Sequence, residues 1–251
     1  MTLPPEILDK ILGYIPTDNE GRQTLVACAL VATWWMELSQ GRLLSLVSIN
    51  NDNHQRWMDS VISSPSKAHL LQYVRSLLHR RGAFGFGYRM QNLPLHSGEY
   101  LSALRNLRSL TLSKIRIEHI GEEEFHTCFS AFRETLTFLS LENFVASFSA
   151  FITLVDYFPN IRTLQLRELR PEPDDGPVPS LSRPLRGKVH VCSHDSDSFE
   201  WLDWFAGLDL EYEELVITSF SFTGTRFVES ALQISARTVN YLRLTAEFER
   251  K

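Results

Sequence analysis

Apolar residues recur along this chain in two rhythms, and the change between them divides it. Near the start, Ile7, Leu8, Ile11, Leu12 and Ile15 follow at helical spacing and form one stripe. Pro4 and Pro5 precede it, where proline suits the first helical turn, and Glu6 places negative charge near the positive end of the helix dipole. Pro16 ends the run. The polar stretch TDNEGRQ, residues 17–23, predicts a loop. Thr24 then caps a second helix through Ala27, Cys28, Leu30 and Val31, and Trp34, Trp35 and Leu38 extend a third helical segment. From Arg42 the rhythm changes to alternation, and RLLSLVSI, residues 42–49, predicts a strand.

A longer period follows. Leu107-x-x-Leu110-x-Leu112 returns as Leu136-x-x-Leu139-x-Leu141, Ile161-x-x-Leu164-x-Leu166, Tyr212-x-x-Leu215-x-Ile217 and Val239-x-x-Leu242-x-Leu244. Val189-x-Val191 is a weaker copy, Leu44-x-x-Val47-x-Ile49 an early one, and Val74-x-x-Leu77 a fragment. The central positions 110, 139, 164, 189, 215 and 242 are separated by steps of 29, 25, 25, 26 and 27 residues. That is a repeat period, which unrelated apolar clusters would not keep.

Amphipathic stretches lie between these strands. Tyr100, Leu101 and Leu104 precede one; Phe125, Phe129 and Phe132 the next; Phe148, Phe151, Ile152, Val155 and Phe158 a third, ended by Pro159. Phe199, Leu202, Phe205 and Leu208 precede another, and Phe227, Val228, Ala231, Leu232 and Ile234 the last. Each unit reads helix then strand. Parallel strands need such crossovers, and stacked units bury one continuous core. The expected fold class is α/β: a short three-helix unit over residues 1–41, then a solenoid with a parallel sheet over residues 42–251. TAEFERK follows the last strand directly with no evident capping unit, so the expectation is either a truncated C-terminus or a cap supplied by a partner.

Composition narrows the classes. A net charge of −5 argues against nucleic-acid binding, whose footprint is basic. Cys28, Cys128 and Cys192 share no close spacing and read as reduced thiols. LVACALVATWWM, residues 25–36, is too short to span a bilayer, and no basic leader precedes an apolar core, so the expected location is cytoplasmic or nuclear, without a membrane partner.

Little in the chain points to catalysis. His190, Cys192 and His194 alternate and would share a strand face, as zinc ligands do, yet no second ligand pair stands at the usual spacing. Gly82, Gly85 and Gly87 lie in residues 79–94 without the lysine and hydroxyl residue of a phosphate-binding loop, so they predict a plain loop. The proline-rich residues 171–180 predict a loop inside one repeat. Residues 195–214 carry Asp195, Asp197, Glu200, Asp203, Asp209, Glu211, Glu213 and Glu214 with no Lys or Arg, which reads as a solvated helix face and loop. The reading is a non-enzyme without cofactor or metal.

Three short helices cannot hide two adjacent tryptophans by themselves, so part of the first unit is expected to be covered by another surface. Leu3-Pro4-Pro5-Glu6-Ile7-Leu8, then Ile11-Leu12, Leu25 to Val31 and Trp35 resemble an F-box motif of the fungal type, over residues 3–49. Ala32 and Thr33 stand where that family often has Cys and a basic residue. The repeats resemble degenerate leucine-rich repeats of the kind that follow many F-boxes, with Asn143 nearest to the family's post-strand Asn.

The resemblance implies a substrate-recognition subunit of an SCF-type ubiquitin ligase. Its partners would be a Skp-type adaptor with the cullin ligase core, and an unknown protein substrate. Leu3, Pro4, Pro5, Glu6, Ile7, Leu8, Ile11, Leu12, Leu25, Leu30, Val31 and Trp35 would meet the adaptor. In such repeats the outward strand face is the binding surface, which nominates Phe138, Gln165, Arg167, His190, Tyr241 and Arg243 for the substrate. One alternative is a repeat scaffold without a ligase; another is a hydrolase or metal protein centred on His190, Cys192 and His194.

Overall fold

The N-terminal stripe forms α1 (Pro5–Gly13) in a computed structural model that describes residues 4–16, 18–80, 91–92, 101–117, 122–172, 180–193, 210–219 and 241–246. The next helix starts earlier than the polarity of residues 17–23 predicts. In α2 (Asn19–Ala29) the cap is Asp18, whose Oδ1 accepts from Gly21 N at 2.8 Å, and Thr24 lies inside the helix with its hydroxyl donating to Glu20 O. A short acidic cap followed by polar helix formers starts a helix as well as an apolar run does. Gly21 is required there because a Cβ would stand 1.9 Å from the Pro16 carbonyl oxygen.

The third helix, α3 (Thr33–Leu44), runs across the expected boundary at residue 41. The strand predicted from Arg42 begins only at β1 (Leu46–Ile49). Arg42, Leu43 and Leu44 suit either period. Tertiary packing decides for helix, because Leu43 packs on the small helical core and Ser45 closes α3 by donating its hydroxyl to Arg42 O. That core consists of buried Leu8, Leu12 and Leu25, with Ile15, Cys28, Trp35 and Leu38 around it. It is separate from the main core.

Next come α4 (Asn51–Trp57) with a π-type turn at Met58–Ile62, then a 3-10 turn at Ala68–Tyr73. The strands that follow are β2 (Ser76–Arg80), β3 (Gln91–Asn92), β4 (Ser109–Ser113) and β5 (Ile115–Arg116). α5 (Glu122–Phe129) with the 3-10 turn Ser130–Phe132 leads to β6 (Phe138–Glu142) and β7 (Val145–Ser147). α6 (Phe148–Tyr157) leads to β8 (Thr163–Arg167) and β9 (Arg170–Glu172). The last described strands are β10 (Leu185–Ser193), β11 (Leu210–Ser219) and β12 (Tyr241–Ala246).

Eight of these strands form one sheet in the order β1-β2-β4-β6-β8-β10-β11-β12, with every pair parallel. A second parallel sheet has the order β3-β5-β7-β9. The chain is thus a mixed α/β protein built on a parallel sheet.

The sequence period is the register of the large sheet. Val47, Leu77, Leu110, Leu139, Leu164, Val189, Leu215 and Leu242 are partnered in succession across all eight strands. A second rung joins Ile49, His79, Leu112, Leu141, Leu166, Val191, Ile217 and Leu244. Keeping these residues in line sends the side chains from Val47 and Ile49 through to Leu215 and Ile217 to a single buried face, where a slip by one residue would turn them outward.

Helices cover that face. The Ser147 hydroxyl accepts from Ala150 N to start α6, and Phe148, Phe151, Ile152, Leu154 and Val155 of this helix are buried. Phe132 stacks on Phe158 with ring centroids 5.8 Å apart, and Phe129 meets Phe158 edge-on at 5.7 Å. All three rings are fully buried in the main core.

One corner recurs. Lys114, Asn143 and Glu168 follow β4, β6 and β8 directly, and all three have positive φ, at 60°, 48° and 52°. Their N–H groups donate to Glu142 O, Arg167 O and Cys192 O of the next strand. The left-handed residue turns the chain from the large sheet toward the short strand that follows.

Two predicted loops are partly strand. Pro171 and Glu172 belong to β9, and Glu211, Glu213 and Glu214 belong to β11. Pairing with neighbouring strands overrides their polar or proline-rich character. The glycine-rich residues 81–90, the acidic residues 195–209, the amphipathic stretches at 199–208 and 227–234, and the C-terminal residues 247–251 lie outside the described residues. Among the described residues, no helix is long and apolar enough to cross a membrane.

Candidate functional site

Two surfaces stand out. On the helical unit, α1 and α2 each pack against α3. Along α1, Ile7 and Ile11 are 43% and 45% exposed, and Tyr14 continues the same face one turn later. At the end of α2, Val26, Leu30 and Val31 are exposed, Leu30 by 84%. Scattered surface apolar residues need no explanation, but three at helical spacing along α1 and three at the end of α2 leave each helix with apolar side chains suited to cover.

Burial sorts the residues expected to meet an adaptor. Pro4, Pro5, Glu6, Ile7, Ile11, Leu30 and Val31 are exposed. Leu8, Leu12 and Leu25 are core residues at 0–3% exposure and hold the three helices together. Trp35 is half-buried against that core. Leu3 lies outside the described residues.

The second surface is the open face of the large sheet, opposite the helices. Its rows follow from register. One row holds Phe138, Thr163, Lys188, Glu214 and Tyr241 on successive strands. The next holds Thr111, Ser140, Gln165, His190, Val216 and Arg243. A third holds Ser113, Glu142, Arg167, Cys192 and Thr218. All six residues expected to meet a substrate are therefore on this face. Gln165 and His190 are direct partners, and Arg243 is separated from His190 only by Val216. Phe138 and Tyr241 stand four strands apart in their row, about 19 Å at the usual strand spacing.

Polar contacts order the middle of the face. With the Gln165 amide turned so that its oxygen faces Arg167, it accepts from Nη2 and Nε at 2.8 and 2.9 Å. Arg167 Nη1 also lies 3.8 Å from Glu142 Oε1. On either side of Gln165, Ser140 Oγ and His190 Nε2 are buried without a hydrogen-bond partner among the described residues. Such atoms are costly to leave unmatched.

Lys188 and Glu214 belong to this face and were not legible from the repeat. Lys188 Nζ is 2.7 Å from Glu214 Oε2. A bulge between Gly187 and Lys188 skips Glu213 and aligns Glu214 with Lys188. The hydrogen bond from Lys188 holds the Glu214 carboxyl below its usual range, against partial burial, with the charges of Lys188, His190 and Arg243 adding to the effect. The same hydrogen bond, with the Glu214 charge, raises the Lys188 ammonium. The alternation of Lys188 with His190 was the available signal for Lys188; nothing in the sequence signals the bulge.

Of the alternating metal-type residues, His190 and Cys192 share the open face of β10, while His194 lies outside the described residues. Among the described residues no three His, Cys, Asp or Glu side chains are grouped to hold a metal ion. No protein-family model and no curated protein matches this chain.

Proposed function

We propose that the chain is the substrate-recognition subunit of an SCF-type ubiquitin ligase, with a Skp-type adaptor on its helical unit and a protein substrate on the open face of its repeat sheet. The observation that carries this reading is the division of labour in the N-terminal helices. A small core of Leu8, Leu12 and Leu25 keeps three short helices folded, while Ile7, Ile11, Leu30 and Val31 remain exposed outside it. A unit built only to cap its own chain would turn those residues inward. Support for a leucine-rich-repeat solenoid comes from the unbroken register of the period-defining residues and the recurring left-handed corner. In this reading Gln165, His190 and Arg243 take the substrate through polar contacts, with Phe138 and Tyr241 as apolar ends.

The test is a binding measurement of the purified chain with a purified Skp-type adaptor, beside Ile7→Asp/Ile11→Asp and Leu30→Asp/Val31→Asp variants. Saturable binding lost in both, with unchanged circular dichroism, supports the reading. A folded wild-type chain that does not bind overturns it and leaves the sheet face as a scaffold surface.

A further inference from the structure

At the N-terminal rim of the large sheet, a hollow of about 590 Å³ is lined by Arg108, Thr135, Thr137, Phe138, Arg162 and Thr163. Backbone hydrogen bonds place its three central residues on one rung: Thr137 N donates to Arg108 O, and Arg162 N donates to Thr137 O. Arg108 and Arg162 are thus two strands apart, about 10 Å between backbones, and reach into the same hollow from both sides.

The donors there divide into spent and free. The Thr135 hydroxyl donates to Leu107 O at 2.7 Å, and that of Thr137 to Arg108 O at 3.2 Å. The N–H groups of Thr137, Phe138, Arg162 and Thr163 are used in the ladder. Neither the Arg108 nor the Arg162 guanidinium has a hydrogen bond or ion pair among the described residues, and both side chains are exposed. Glu134, next to Thr135 in the chain, is turned to Arg133 at 3.8 Å. By contrast, Arg186 and Lys188 further along the rim are matched by Glu211 and Glu214. Two unmatched arginines in one hollow, in a chain of net charge −5, form a local site of opposite sign.

We infer that this hollow binds an oxyanion, a carboxylate or phosphate group, between Arg108 and Arg162, with the Thr163 hydroxyl as a further donor. Guanidinium groups match such anions through paired, charge-assisted N–H bonds, which a lysine point charge cannot reproduce. Phe138 forms an apolar wall, so an anion carried on a larger group, such as an acidic side chain of a protein segment, gains a contact that a free anion lacks. The site lies away from α1 and α2 and does not rest on adaptor docking.

The experiment is calorimetric titration of the full chain with three probes: inorganic phosphate, a blocked tripeptide with central glutamate, and its phosphoserine counterpart. Saturable binding of either tripeptide, weakened about tenfold or more by Arg108→Ala or Arg162→Ala and partly restored by Lys, supports the site and assigns its source. Binding of inorganic phosphate with the same sensitivity supports the site for a free anion. Arg186→Ala is the control and leaves binding unchanged. No saturation by any probe to about 10 mM, or binding unaltered in the Arg108→Ala/Arg162→Ala double variant, overturns the inference. A serine tripeptide that binds as well as the charged ones overturns it too.

Discussion

Gly187 lies where a Cβ would stand 2.2 Å from the Arg162 carbonyl oxygen, with a φ of 99° that L side chains rarely adopt. The same oxygen accepts from Lys188 N at 2.8 Å, so β8 and β10 close on each other at a point only glycine fits. Gly187→Ala is expected to cost about 1–3 kcal/mol, from strain and from displacing this strand pair. Urea denaturation checks it, and a midpoint equal to wild type would contradict it.

Lys188 and Glu214 give the face a pH signature. The Glu214 carboxyl is lowered from its usual 4.5 by the Lys188 hydrogen bond, so its contribution is complete above that value and is lost as pH falls through the folded value. Lys188 is raised from 10.5, so its contribution is complete below that value and is lost as pH rises through the folded one. Glu214→Gln is expected to lower the urea midpoint near neutrality, and the gap from wild type should close in acid, once pH is below the lowered folded value. A gap that persists there would assign the effect to something other than ionisation.

The helical unit separates core from surface. Leu12→Ala removes a side chain that is 1% exposed and is expected to destabilise by about 2–5 kcal/mol. Ile11→Asp, one residue earlier but 45% exposed, should leave helix content and melting temperature nearly unchanged. Parallel thermal melts followed by circular dichroism compare the two, and equal losses would refute the assigned burial.

Asn143 tests the recurring corner. At its φ of 48°, Gly is expected to be near neutral and Val to cost about 1–2 kcal/mol, because a β-branched side chain clashes in the left-handed region. Denaturation midpoints of the two variants rank this directly. A Val variant as stable as wild type would mean that the corner relaxes.

What could be read from the chain in order is what depends on local spacing. The apolar stripe of α1, bounded by Pro5 and Pro16, was legible because helix entry and exit are local events. The period through Leu110, Leu139, Leu164, Val189, Leu215 and Leu242 was legible because every strand must send the same positions to one buried face. That fixed the open face and hence where Gln165, His190 and Arg243 would lie. Tertiary structure decided what spacing leaves open. The stripe of α1 does not say that Leu8 and Leu12 turn inward while Ile7 and Ile11 stay out, because that depends on where α3 docks. Arg42 to Leu44 fit helix and strand equally until Leu43 found its core. The bulge at Gly187 set Glu214 opposite Lys188, and strand pairing brought Arg108 and Arg162 to one hollow from 54 positions apart in sequence. Those relationships are long-range, and a chain read in order carries no local trace of them.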